Sequence, residues 1–110
     1  MVVNGLTQKE LSLLDESIVA NVAVINPNKQ PHLFPVWCVL QDGKIYFSTK
    51  VEHDKCQYIR LNPNICMSVV HPKGSIYLSF TGLAEIYERD ELDQFDEIMG
   101  RIVHKYVRDI

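Results

Sequence analysis

Ser48, Thr49, Lys50 and Lys55 concentrate hydroxyl donors and positive charge where an apolar strand gives way to a helix stopped by Asn62-Pro63. Arg60 adds a cation further along that helix. The chemistry such a set suits is the holding of an anion, a phosphate above all. A helix N-terminus offers unpaired N–H groups and a partial positive charge. Serine and threonine hydroxyls add donors, and lysines add charge. From spacing alone the same residues also read as surface lysines beside a polar strand end, with Arg60 a surface charge.

Other constellations are weaker. There is no Gly-rich phosphate loop and no Gly-x-Ser-x-Gly. His53-x-x-Cys56 and Cys66-x4-His71 can be written as ligand pairs, but neither is a strong metal spacing. Core packing is the expected role of Cys56 and Cys66, and no metal site is expected. Cys56 lies beside Lys55 near a helix start, which could lower a thiol pKa. On a short helix it reads instead as a small buried group. No side chain stands out as a catalytic acid or base, so the catalytic residues are unknown at this point.

The totals set limits. The chain has 110 residues, which predicts one domain with a modest core that a partner subunit would help to cover. Its net charge of −3 argues against a general nucleic-acid binder. The apolar runs are too short for a membrane span. The start, Met1-Val2-Val3-Asn4-Gly5, lacks a signal layout, so a cytoplasmic location is expected. The odd number of cysteines, Cys38, Cys56 and Cys66, predicts reduced thiols.

The elements that must position these residues follow from local patterns. Thr7 and Glu10 form a capping box for a short helix with Leu11 and Leu14 on one face. Residues 18–26 read as a strand, and 27–31 as a turn. Residues 32–40 read as a second strand, apolar on both faces: Leu33, Pro35, Trp37 and Val39 on one, His32, Phe34, Val36, Cys38 and Leu40 on the other. Such a strand should be covered on both sides. Pro35 cannot donate to a ladder, so a bend, bulge or sheet edge is expected there. Asp42-Gly43 signals a hairpin, with a return strand at 44–49. A helix over 54–61 follows, with Asp54 as its N-cap. Strands at 64–70 and 75–88 come next, Gly82 suggesting a bulge or bend in the second. Asp90 is expected to cap a final helix, where Leu92, Phe95, Ile98, Met99, Ile102 and Tyr106 recur at helical spacing. The order is helix, three strands, helix, two strands, helix. It predicts a mainly β fold with helices, a small antiparallel barrel.

Residues 30–70 carry a resemblance. Pro31, Pro35-Val36-Trp37, Asp42-Gly43, the run Ile45 to Thr49, Lys55 and Asn62-Pro63 stand in the order and spacing of the flavin-binding split-barrel family. The chain resembles the pyridoxamine 5′-phosphate oxidase-like proteins, including the branch that uses a deazaflavin coenzyme (factor 420). "FTGLAEIYERDELDQ", from Phe80, resembles the later strand and final helix, so the similarity covers about residues 6 to 106. Gln30 stands where the family often has Gly, and Lys50 where a small residue is common. Relatives usually continue into one more strand beyond the position of Ile110. The expected domain, 1–110, is therefore either one strand short or part of a longer chain.

The resemblance implies a six-stranded split β-barrel working as a homodimer, with a flavin in the groove between subunits. It implies that Ser48, Thr49 and Lys55 hold the FMN phosphate, with Lys50 as an extra ligand or merely exposed. It implies that Pro35, Val36 and Trp37 lie along the isoalloxazine ring. Lys55 is expected to be exposed when no cofactor is bound. The implied function is a flavin-dependent oxidoreductase passing hydride or electrons between FMN and a small molecule. Three alternatives stay open: a deazaflavin-dependent reductase whose anionic coenzyme tail Lys50 and Arg60 track, a non-enzymatic flavin or haem binder, and a barrel with no cofactor.

Overall fold

The computed structural model describes residues 1–3, 5–50, 53–74 and 76–107. Helix α1 (Gln8–Asp15) starts at the expected capping box: the Thr7 N–H donates to Glu10 Oε1 at 2.8 Å and the Glu10 N–H to Thr7 Oγ1 at 3.2 Å. Leu13 and Leu14 are its buried residues, so the inward face is turned slightly from the expected Leu11–Leu14 pair.

Six strands follow in two antiparallel sheets. β1 (Ala20–Ile25), β2 (Pro31–Val36), β5 (Asn64–Val70) and β6 (Tyr77–Leu83) form a four-stranded sheet in the order β2-β1-β5-β6. β3 (Cys38–Gln41) and β4 (Lys44–Phe47) form a hairpin of their own. The expected strand 32–40 is thus two strands in different sheets, broken at Trp37. Four strands precede the middle helix, not three. Pro35 explains part of this. It pairs with Asn21 in an unbroken register, and it can do so because β2 is an edge strand. The chain then leaves the sheet at Trp37. The break also corrects the two faces: Phe34, Val36 and Cys38 are buried, Leu33 is 71% exposed, and Val39 turns under the last helix. The outer face of β2 is therefore open within one chain, while that of β3 is covered.

Asp42 and Gly43 both take positive φ, 53° and 75°, as a two-residue hairpin requires. β4 ends at Phe47, so Ser48 and Thr49 lie just past it and not within it. Helix α2 spans Asp54–Leu61; its N-cap is His53, one residue before the expected Asp54. β6 ends at Leu83, short of the expected 88; residue 75 lies outside the described residues. Gly82 makes no bulge, because the β5–β6 register runs unbroken from Asn64↔Leu83 to Val70↔Tyr77. It makes room instead. A Cβ at Gly82 would stand 2.4 Å from the sulfur of Met1. Residues 1–3 run along β4, with the Ile45 N–H donating to Met1 O at 2.8 Å and the Val3 N–H to Gly43 O at 2.8 Å. Asp90 falls in a short 3-10 turn (Arg89–Glu91), and helix α3 (Phe95–Tyr106) begins later, with Gln94 as N-cap.

The main core lies between the four-stranded sheet, α1, α2 and the hairpin, with Ala20, Val22, Val24 and Met67 fully buried at its centre. A second cluster joins α3 to the hairpin through Val39, Ile98 and Ile102, with Tyr46, Leu92, Met99 and Tyr106 packed against them. The helical spacing read in α3 is that of this face. Tyr106 fastens the break at Trp37. Its hydroxyl donates to Ile18 O at 2.7 Å and accepts the Cys38 N–H at 3.2 Å. Lys105 donates to Leu14 O and Cys38 O at 2.7 and 2.8 Å.

Candidate functional site

β4 delivers Ser48 and Thr49 at its end, and α2 delivers Lys55 in its first turn. The backbone ties the two together: Lys50 O accepts the His53 N–H at 3.0 Å and the Cys56 thiol at 3.5 Å. Residues 51 and 52 lie outside the described residues. Ser48, Thr49, Lys50 and Lys55 all line one cavity of about 950 Å³, together with His53, Cys56, the stretch from Leu83 to Arg89 and the inner face of α3. That brings four of the seven expected site residues into one space. Arg60 is exposed and is not part of its lining.

The electrostatics of that end favour an anion. Thr49 Oγ1 is buried and has no hydrogen-bond partner among the described residues. A buried hydroxyl without a partner costs about 1–3 kcal/mol, so it marks a place where something else supplies the bond. A phosphate oxygen would, and Lys50 and Lys55 bring the opposite charge. These residues therefore fit a phosphate group. The expectation of an exposed Lys55 is corrected: it is half-buried, with Nζ 4.6 Å from the centroid of the Phe34 ring, a cation–π contact.

Pro35, Val36 and Trp37 do not line this cavity. Pro35 is exposed on the outer face of β2, and Val36 points into the core at 7% exposure. Trp37 is 43% exposed and stacks on Tyr106, the rings 5.1 Å apart and 2° from parallel. A shallower depression of about 480 Å³ lies beside Lys55; His32, Leu33 and Phe34 of β2 and His53, Asp54, Lys55 and Tyr58 line it, and Pro35, Val36 and Trp37 do not. Lys55 thus borders both spaces. Neither was visible in the sequence. His53 and Cys56 both line the cavity, and among the described residues the one group of three or more possible metal ligands is the exposed Glu88, Asp90 and Glu91.

Comparison with known proteins then decides the family. The family model described as pyridoxamine 5′-phosphate oxidase matches residues 6–109. The chain belongs to that family. No curated protein matches it. Among solved structures it is similar to an F420 reductase at 22% identity and a TM-score of 0.80, covering 93% of this chain and 79% of that one. A conserved hypothetical protein from Mycobacterium tuberculosis is 23% identical with a TM-score of 0.77, covering 93% of this chain and 65% of the other. HutZ, the haem storage protein from Vibrio cholerae, is 12% identical with a TM-score of 0.74, covering 96% of this chain and 77% of that one. At these identities the three similarities establish a shared fold. Among the described residues no helix is long and apolar enough to cross a membrane.

Proposed function

We propose that the chain is an FMN-binding oxidoreductase of the pyridoxamine 5′-phosphate oxidase-like split-barrel type, a single domain over residues 1–110 that works as a cytoplasmic homodimer on a small molecule. The observation that carries this reading is the buried Thr49 hydroxyl, without a partner among the described residues, in the same cavity as Ser48, Lys50 and Lys55. These four residues hold the phosphate. The depression beside Lys55 runs onto β2 at His32, Leu33 and Phe34. The ring is placed further along the chain, on Pro35, the backbone of Val36 and Trp37, by the family resemblance alone. When bound, FMN supplies the redox chemistry. The chain anchors it, sets its height on β2 and keeps one face dry. No proton donor is assigned.

The dimer follows from the open sheet face. None of the four strands β1, β2, β5 and β6 contains Asp, Glu, Lys or Arg. On the outer side Leu33 is 71% and Tyr77 73% exposed. A broad uncharged surface rimmed by polar residues marks an interface. A second copy seated there would complete the barrel assembly and roof the ring over Pro35.

Two other cofactors compete. The similarity to an F420 reductase and the cation Lys50 favour a deazaflavin coenzyme, whose anionic tail needs more charge than one phosphate. A non-enzymatic flavin or haem binder is the third reading, with HutZ as the structural neighbour. The visible spectrum of the purified protein separates them. Flavin bands support the proposal. A colourless protein that takes up only the deazaflavin, or a Soret band, would replace it.

A further inference from the structure

Phosphate anchoring uses one part of the large cavity and leaves another unassigned. Its α3 wall is made by Leu92, Phe95, Ile98, Met99 and Ile102, with Ile86 beside them. Two of the charged groups bordering the cavity near this wall, Glu85 and Arg89, are already engaged. Glu85 accepts the hydroxyl of Tyr87, which holds its carboxyl below the usual range, with Lys44 adding to the effect. Arg89 pairs with Asp96 and lies 5.0 Å from the centroid of the Phe95 ring. The cavity is therefore two-sided: a hydroxyl without a partner among the described residues and two lysines by β4 and α2, and an apolar surface by α3.

We propose that the α3 side of the cavity is a separate subsite for an uncharged apolar molecule, ring-shaped or short-chained. Three observations define that class. An ionic group there would lose its water and find no unengaged partner among the groups named, a cost that burial of a charge always carries. The side chains on offer are aliphatic, aromatic and thioether, and a methionine adapts to irregular apolar shapes. The volume of about 950 Å³ reaches the upper range of small-molecule sites, roughly 300–1,000 Å³, so it has room for more than a phosphate anchor. Binding of such a molecule stands on these residues alone. Its standing as the substrate rests on the cofactor reading above, since it would place an apolar substrate beside the cofactor's anchor.

The test uses the full chain and the uncharged dye N-phenyl-1-naphthylamine, whose emission rises in apolar surroundings. Saturable binding is expected with and without FMN. Met99→Glu should weaken it at least tenfold, and Leu92→Gln several-fold, while Lys55→Ala should change it less than twofold. If Met99→Glu fails to fold, the milder Leu92→Gln carries the comparison. Absence of saturable dye binding, an affinity unmoved by both α3 substitutions, or expulsion of the dye by saturating FMN would each overturn the subsite. A protein that takes the dye in the α3-dependent way but never FMN would overturn the cofactor reading and leave this subsite standing.

Discussion

The hydroxyls of Thr49 and Tyr106 show how one functional group can mean opposite things. Thr49 Oγ1 is buried without a partner among the described residues, at a cost in stability that a bound phosphate would offset. Tyr106 is satisfied three ways: by Ile18 O, by the Cys38 N–H and by the ring of Trp37. Burial pushes the Tyr106 phenol above its ordinary value of 10.0. The folded pKa is raised, so the stability it contributes is fully present below the unfolded pKa and is lost as pH rises through the folded one. Wild type should therefore lose thermal stability progressively above about pH 10. Tyr106→Phe should be less stable by about 0.5–1.5 kcal/mol at pH 7 and show a shallower alkaline decline. Thermal melts from pH 7 to 11 check this. Parallel alkaline slopes for the two proteins would mean that Tyr106 does not govern that limb.

At the scale of elements, the hairpin β3–β4 carries the site, because it ends where Ser48 and Thr49 begin. Its turn needs two residues at positive φ, and Gly43 at 75° is the one that gains most from having no Cβ. Gly43→Ala should cost about 1–2 kcal/mol, seen as a lower urea midpoint with unchanged slope. An unchanged midpoint would contradict the turn assignment. This hairpin was legible in the sequence because Asp-Gly between apolar runs is a strong local signal. The capping box at Thr7–Glu10 and the strand-then-helix order around residues 48 to 55 were legible for the same reason: each is written in a few adjacent residues. The break at Trp37 was not. The apolar run 32–40 has no local interruption at Trp37, and the change of sheet shows only in long-range contacts: the pairing of β2 with β1, of β3 with β4, and the capture of the backbone around Cys38 by Tyr106 and Lys105. Gly82 was misread because a bend and a close approach both call for glycine, and the approaching group, Met1, is far away in sequence. The stripe on α3 was read as helical spacing, which a core face would have. A cavity wall has the same spacing, and nothing local distinguishes the two.

At the scale of the molecule, a 12.7 kDa chain leaves one uncharged sheet face open. A homodimer is expected at micromolar concentration, with about 1,200 Å² or more buried in total. Leu33→Lys, on the outer face of edge strand β2, should shift it toward monomer by placing a charge on the uncharged face proposed to meet the second copy. Light scattering reads both. A wild type that stays at the mass of one chain would remove the dimer, and with it the roof over the ring.

The central claim is that Ser48, Thr49 and Lys55 hold a cofactor phosphate, and paired titrations with FMN and riboflavin on wild type and Lys55→Ala test it most directly. Riboflavin has the ring without the phosphate. A charge-assisted hydrogen bond contributes on the order of 1.5–3 kcal/mol. Lys55→Ala should then weaken FMN binding roughly 10- to 150-fold and change riboflavin affinity far less. The lost contact with Phe34 should lower folding stability by only about 0.5–1 kcal/mol. Equal losses for FMN and riboflavin would contradict the account, because Lys55 would then be acting on the ring or on the fold and not on the phosphate.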